Sequence, residues 1–292
     1  MSDAILEARD YELVRGLELS PRRRYAGLAA GERRSPAPGG GIEFADYRDY
    51  VPGDDARGID WQAFLRLRRL LVRISAEEKE LCLSIILDAS RSMASGEPSK
   101  LLFAKRLAAV LAGVAMKGGD RAGILLLGPR LLEPLRPERR KSSLELALRA
   151  LGEIEPGGPV EPEACMGAFA ARYGRKCLAV LVSDLLFPSW PALVGGLAAS
   201  GCEAYVIQVL SPAELRPEEA GEVTFVDAED SSEAPLHLDR SALARYANEM
   251  HLFLGEAASR CRELGLGYAL LSSGDGLEPA FRGRLREEGL VC

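Results

Sequence analysis

From residue 80 onward the chain alternates short, unbroken apolar runs with longer stretches of helical spacing. Residues 81–87 hold a single polar side chain, Ser84, and read as a strand buried on both faces that ends at Asp88. Residues 100–117 predict a strongly apolar helix. Residues 121–127 and 130–135, joined by Gly128-Pro129, predict two strands in a hairpin and hence an antiparallel edge. A helix over 142–151 leads to a second buried strand, 176–183, that ends at Asp184. A helix at 191–199, a strand at 203–210, a long amphipathic helix at 240–264, a strand at 267–271 and a helix at 278–287 complete the pattern. Strands without polar alternation, separated by helices, imply a mostly parallel sheet covered on both faces. The fold class is therefore α/β, a doubly wound domain over residues 80–292.

Residues 1–79 read as an N-terminal extension. Helical spacing over 5–17 gives way to the basic break Pro21-Arg22-Arg23-Arg24, then to a Ser/Pro/Gly loop at 35–41. An aromatic and acidic stretch follows and ends at Trp61. Within it Pro52-Gly53-Asp54-Asp55 reads as a type II turn, with a second acidic site as the alternative. Phe44, Tyr47, Tyr50 and Trp61 read as packing that docks the extension onto the main domain.

Composition narrows the function. The 292 residues carry 43 acidic and 37 basic side chains, a net charge of −6, which argues against a global affinity for nucleic acid. The clusters Arg22-Arg23-Arg24 and Arg66, Arg68, Arg69 and Arg73 read as solvated or partner-facing surface. Six cysteines without Cys-x-x-Cys spacing imply reduced thiols in a cytoplasmic protein. No stretch reaches the roughly 20 apolar residues of a membrane span, and the charged N-terminus lacks a signal-peptide core. The phosphate-binding G-x-x-x-x-G-K-[ST] loop, the G-x-S-x-G elbow and the G-x-G-x-x-G fingerprint are missing from the sequence. His237 and His251 are its two histidines.

One constellation carries chemistry. The first buried strand runs into Asp88-Ala89-Ser90-Arg91-Ser92-Met93, an Asp-x-Ser-x-Ser turn before a helix, and Asp184 closes the second buried strand. Open α/β sheets bind ligands beyond the carboxyl ends of strands where the winding reverses. That point falls between Asp88 and Asp184. Carboxylates and hydroxyls together suit a hard cation such as Mg²⁺. The same residues could instead cap the helices that follow them.

These residues resemble a von Willebrand factor A-type domain, whose Asp-x-Ser-x-Ser turn and later strand-end aspartate form a metal-ion-dependent adhesion site. More specifically the chain resembles the DUF58 family, proteins often encoded beside MoxR-type AAA+ ATPases. The matching residues are Glu43-Phe44-Ala45-Asp46-Tyr47-Arg48-Asp49-Tyr50-Val51-Pro52-Gly53-Asp54-Asp55-Ala56-Arg57-Gly58-Ile59-Asp60-Trp61, Asp88 to Met93, Ser183-Asp184, Phe225-Val226-Asp227 and Arg245-Tyr246. The resemblance implies the six-strand order 3-2-1-4-5-6. It implies a site for Mg²⁺, Mn²⁺ or Ca²⁺ made by Asp88, Ser90, Ser92 and Asp184.

Such sites add a threonine from a Gly-Gly-Thr-like loop, but here the loop reads Gly157-Gly158-Pro159-Val160-Glu161, and the sole threonine is the distant Thr224. Either that ligand is missing and metal binds weakly, or Glu161 or Glu163 replaces it. The resemblance further implies a non-enzymatic interaction module. A partner's acidic side chain completes the metal, and a MoxR-type ATPase is the partner in protein remodelling or maturation. The alternatives are a metal-independent scaffold with a vestigial site, and a Mg²⁺-dependent phosphoryl hydrolase using Asp88 and Asp184.

Overall fold

Helix α1 (Ala8–Gly16) buries Asp10, Leu13 and Val14 and leaves the opposite face to solvent. The structure is a computed structural model that describes residues 5–21, 44–51, 59–75, 81–137, 143–174, 177–217, 221–226 and 233–292. It divides the chain into two compact units: Met1–Arg22 with Leu81–Cys292, and Arg23–Glu80. The expected extension over 1–79 is thus split, because α1 belongs with the larger unit. Arg106 donates to Asp10 at 2.8 Å, and the Val14 methyls fill the space left by Gly113. Leu19 forms a bridge with Val291, flanked by backbone bonds from Ser20 to Leu290 and from Cys292 to Glu18, each 2.9 Å.

In the smaller unit β1 (Phe44–Asp49) pairs antiparallel with β2 (Leu71–Ser75). Helix α2 (Trp61–Leu67) lies between them in sequence. It starts where Asp60 Oδ1 accepts from the Gln62 and Ala63 amides at 2.9 and 3.0 Å. Trp61 packs edge-on against Phe64 and is 59% exposed. The Pro52-Gly53-Asp54-Asp55 turn, Arg22-Arg23-Arg24 and the loop at 35–41 lie outside the described residues.

The larger unit continues with β3 (Cys82–Asp88), α3 (Arg91–Ala94), α4 (Lys100–Lys117), β4 (Arg121–Leu127) and β5 (Leu132–Leu135). Next come α5 (Leu144–Gly152), α6 (Pro162–Arg172), β6 (Leu178–Ser183), α7 (Trp190–Ala199) and β7 (Glu203–Leu210). The chain closes with α8 (Pro212–Leu215), the antiparallel hairpin of β8 (Gly221–Val226) and β9 (Glu233–Leu238), α9 (Arg240–Glu263), β10 (Gly267–Ser272) and α10 (Leu277–Pro279).

The central sheet has six strands in the order β10-β7-β6-β3-β4-β5. Neighbours run parallel except for β5 against β4. Numbered by appearance within this sheet, the order is 3-2-1-4-5-6, as expected, with the antiparallel strand at an edge. Every residue of β3, β6 and β7 is buried, which explains why their sequences show no polar alternation.

Three elements differ from expectation. Helix α6, introduced by Pro162 at its first position, follows the 157–161 loop directly. The β8–β9 hairpin occupies a stretch to which the sequence pattern assigned no element. The last helix is divided: α10 runs at Pro279 into a π-helical turn over Ala280–Leu285.

Candidate functional site

The winding reverses between β3 and β6. From β3 the chain runs outward through β4 and β5, then returns to β6 on the other side of β3 and continues through β7 and β10. The carboxyl ends of β3 and β6 therefore stand side by side, with Leu87 opposite Val182. Asp88 closes β3 and is fully buried. Its Oδ1 accepts the Ser90 amide at 2.9 Å, and its Oδ2 accepts the Ser183 hydroxyl at 2.6 Å. Ser183 Oγ in turn accepts the Leu185 amide at 3.0 Å.

Ser90 occupies the N-cap position of α3 without making a side-chain cap bond. Its hydroxyl instead meets that of Ser92, Oγ to Oγ 3.0 Å. The loop expected to supply a ligand does reach this turn: Gly157 bridges to Ser90, and its amide donates to the Ala89 carbonyl at 2.6 Å. Glu161 sits farther along, exposed, at the N-cap of α6. It makes no side-chain cap bond, and its amide goes to the Gly128 carbonyl at 2.9 Å. Glu163 is exposed in the first turn of α6. The structure thus brings the Asp88 turn and Asp184 together at neighbouring strand ends and sets Glu161 apart at the start of α6.

Asp184 is fully buried. Its Oδ1 accepts the Leu186 amide at 3.0 Å, a turn made possible by Leu185 in the left-handed region at φ 58°. Gln208 Nε2 donates to the Asp184 carbonyl at 2.9 Å, and Tyr268 donates its hydroxyl to Gln208 Oε1 at 2.7 Å. This chain of bonds crosses from β6 through β7 to β10 and fixes the backbone that carries Asp184.

Sequence reasoning overlooked the partner of Asp184. Lys100, the first residue of α4, is fully buried. Its Nζ donates to Asp184 Oδ2 at 2.8 Å and to Glu214 Oε1 at 2.5 Å. Glu214 belongs to the capping box of α8: its other oxygen accepts the Ser211 amide at 2.7 Å, while its own amide donates to Ser211 Oγ at 3.2 Å. Tyr246 of α9 donates to the Glu214 carbonyl at 2.7 Å. Two signals were available. A cation in the first turn of a long helix opposes the helix dipole and so needs another reason to be there. The sequence Ser211-Pro212-Ala213-Glu214 is a capping box.

The electrostatics follow from burial. Desolvation, reinforced by the neighbouring Asp184 carboxylate, pushes the Asp88 carboxyl above the usual aspartate range, against the opposing hydrogen bonds from Ser183 and Ser90. The donor chemistry of Asp88, Ser90 and Ser92 is all oxygen and fits a hard divalent cation. Asp184 is the ligand that fits least freely, since an ammonium already holds one of its oxygens. Among the described residues no group of three His, Cys, Asp or Glu side chains is arranged to hold a metal ion. Such a trio is not what two hydroxyls and two carboxylates would form.

The family model described as protein of unknown function DUF58 matches residues 46–251. The chain belongs to the DUF58 family. The match runs from β1 into α9 and includes the Asp88 turn, Lys100, Asp184 and Glu214. Similar relatives are the uncharacterized protein Rv1480 of Mycobacterium tuberculosis and the uncharacterized protein Mb1516 of Mycobacterium bovis. Each is 29% identical over 266 residues, covering 89% of this chain and 83% of the relative.

Among solved structures the chain is similar to BatB from Bacteroides thetaiotaomicron, at 15% identity and TM-score 0.44, over 71% of this chain and 98% of that one. It is also similar to a von Willebrand factor type A protein from Catenulispora acidiphila, at 14% identity and TM-score 0.38, over 75% and 43%. Among the described residues of this DUF58 chain, no helix is long and apolar enough to cross a membrane.

Proposed function

We propose that this DUF58 protein is a non-enzymatic interaction module whose contact surface is the crest formed by the carboxyl ends of β3 and β6. A divalent cation, Mg²⁺ or a similar hard ion, would be held there by Asp88, Ser90 and Ser92, with Asp184 in support. Bound, it would supply a coordination position for an acidic side chain of a partner. The partner we propose is a MoxR-type AAA+ ATPase, or a client protein that such an ATPase remodels or matures. The observation that carries the reading is the convergence of the Ser90 and Ser92 hydroxyls, 3.0 Å apart, beside the buried Asp88 at the winding reversal.

A binding role is supported over hydrolysis by apolar surface beside Asp184. Exposed Leu186, next to Asp184, and exposed Leu102, on the first turn of α4, give the crest apolar contact area.

A second reading is a metal-independent scaffold, favoured by the Lys100 ammonium already seated on Asp184. Mn²⁺ titration of the parent and of Asp88→Ala by calorimetry separates the two. The metal-dependent reading expects saturable binding in the parent that disappears in Asp88→Ala. Equal binding by both proteins places the ion elsewhere and removes that reading.

A further inference from the structure

The crevice contains a cation of its own. Lys100 Nζ is bonded to Asp184 at 2.8 Å and to Glu214 at 2.5 Å, with the lysine side chain wholly removed from solvent. Burying an ammonium is costly unless partners surround it, and here two carboxylates do so. Lys100 is delivered to this point by the first turn of α4, whose start is fixed by the Ser99 hydroxyl accepting the Leu102 amide at 3.3 Å. The ammonium lies on the same carboxylate that a metal bound at the Asp88 turn would draw on. A divalent ion and an ammonium sharing one buried carboxylate repel each other across a short distance in poorly screened surroundings.

We propose that Lys100 is a tethered counter-cation that neutralises Asp184 in the metal-free protein and competes with a divalent ion for it. Glu214 is the acceptor that keeps the ammonium paired when Asp184 turns to metal. The inference rests on the reading that the crevice takes a divalent ion, and it adds what sets the affinity. Lys100 thereby lowers the affinity of the crevice for a divalent ion. Because Glu214 also closes the capping box of α8 and its carbonyl accepts from Tyr246, shifting Lys100 toward Glu214 loads the segment that connects β7 to α9.

The test is Mn²⁺ affinity measured by calorimetry and by paramagnetic resonance of the free ion. Four proteins are compared: the parent, Lys100→Met, Lys100→Met/Glu214→Gln, and Asp88→Ala on the double-variant background. The double variant removes one charge of each sign, so it keeps the net charge of the cluster and leaves one carboxylate, Asp184, without its ammonium where Lys100→Met leaves two. One neighbouring charge shifts a proton equilibrium by about one to three powers of ten. Lys100→Met should therefore bind Mn²⁺ about tenfold more tightly than the parent or better; the double variant, whose Asp184 is likewise freed of the ammonium, should keep a gain, and Asp88→Ala should abolish it. Thermal midpoints should rise with Mn²⁺ more steeply in the Lys100 variants than in the parent.

If the parent binds Mn²⁺ and folded Lys100 variants bind equally or less well, Lys100 is no competitor and the inference is overturned, while the metal reading stands. If neither the parent nor any folded variant binds, the metal reading itself fails and takes the inference with it.

Discussion

Ser183 donates its hydroxyl hydrogen to Asp88 Oδ2 at 2.6 Å, joining the ends of β6 and β3 through one buried carboxyl. Burial raises the Asp88 pKa in the folded protein. An unconstrained aspartate ionises near pH ~4. Between that pH and the higher folded value, the unfolded chain has lost a proton that the folded protein still holds. Folding therefore takes up a proton, and stability falls as pH rises through this window. Asp88→Asn removes that liability. With EDTA present, its urea midpoint should exceed the parent's at pH 7, and the advantage should vanish as the pH approaches 4. An advantage that does not change with pH would show that Asp88 is not the titrating group.

Gln208 is fully buried and serves two partners, the Asp184 carbonyl and the Tyr268 hydroxyl. Gln208→Ala strands both, and each unpaired buried group costs about 1–3 kcal/mol. Tyr268→Phe removes one bond and should cost about 1 kcal/mol. The ratio of the two losses, read from denaturant unfolding, checks the network.

A Cβ on Gly113 would stand 2.9 Å from a methyl of Val14. Gly113→Leu should push α1 off α4 at a cost of about 1–3 kcal/mol. Amide exchange within Ala8–Gly16 should accelerate by orders of magnitude while β3 and β6 stay protected. Unchanged exchange in α1 would contradict the docking.

Cys82, Cys165, Cys177, Cys202 and Cys261 are buried, and Cys292 is exposed. Burial raises the Cys82, Cys165 and Cys177 thiols and pushes Cys261 up to about 12, although for Cys177 the bond with Cys202 is the larger cause. A thiolate-selective reagent at neutral pH should label Cys292 quickly and the other five only on unfolding. Mass spectrometry of the native protein should find one label per chain.

The sheet was legible because β3, β6 and β7 are buried along their whole length, and a doubly buried strand has no way to disguise its unbroken apolar run. The two strand-end aspartates were placeable too: Asp88 closes β3 and Asp184 follows β6, its neighbour in the sheet. What stayed hidden came from non-local pairing. Lys100 reads only as the first residue of an apolar helix until Glu214, 114 residues away, is brought beside it. The β8–β9 hairpin has a connection of six residues between Val226 and Glu233 rather than a two-residue turn signal. The place of residues 5–21 depends on the glycine gap in α4 and on the bridge to Val291, neither of which leaves a mark in local spacing.

That bridge also orders events in time. The backbone of Glu18 pairs with a segment 274 positions later in the chain. At a translation rate of about 5–20 residues per second, the wait between the two is on the order of tens of seconds. Leu19, buried in the finished protein, waits for its bridge partner Val291 until the chain beyond β10 has been made. The contact that seals this segment onto the larger unit is thus among the last to form.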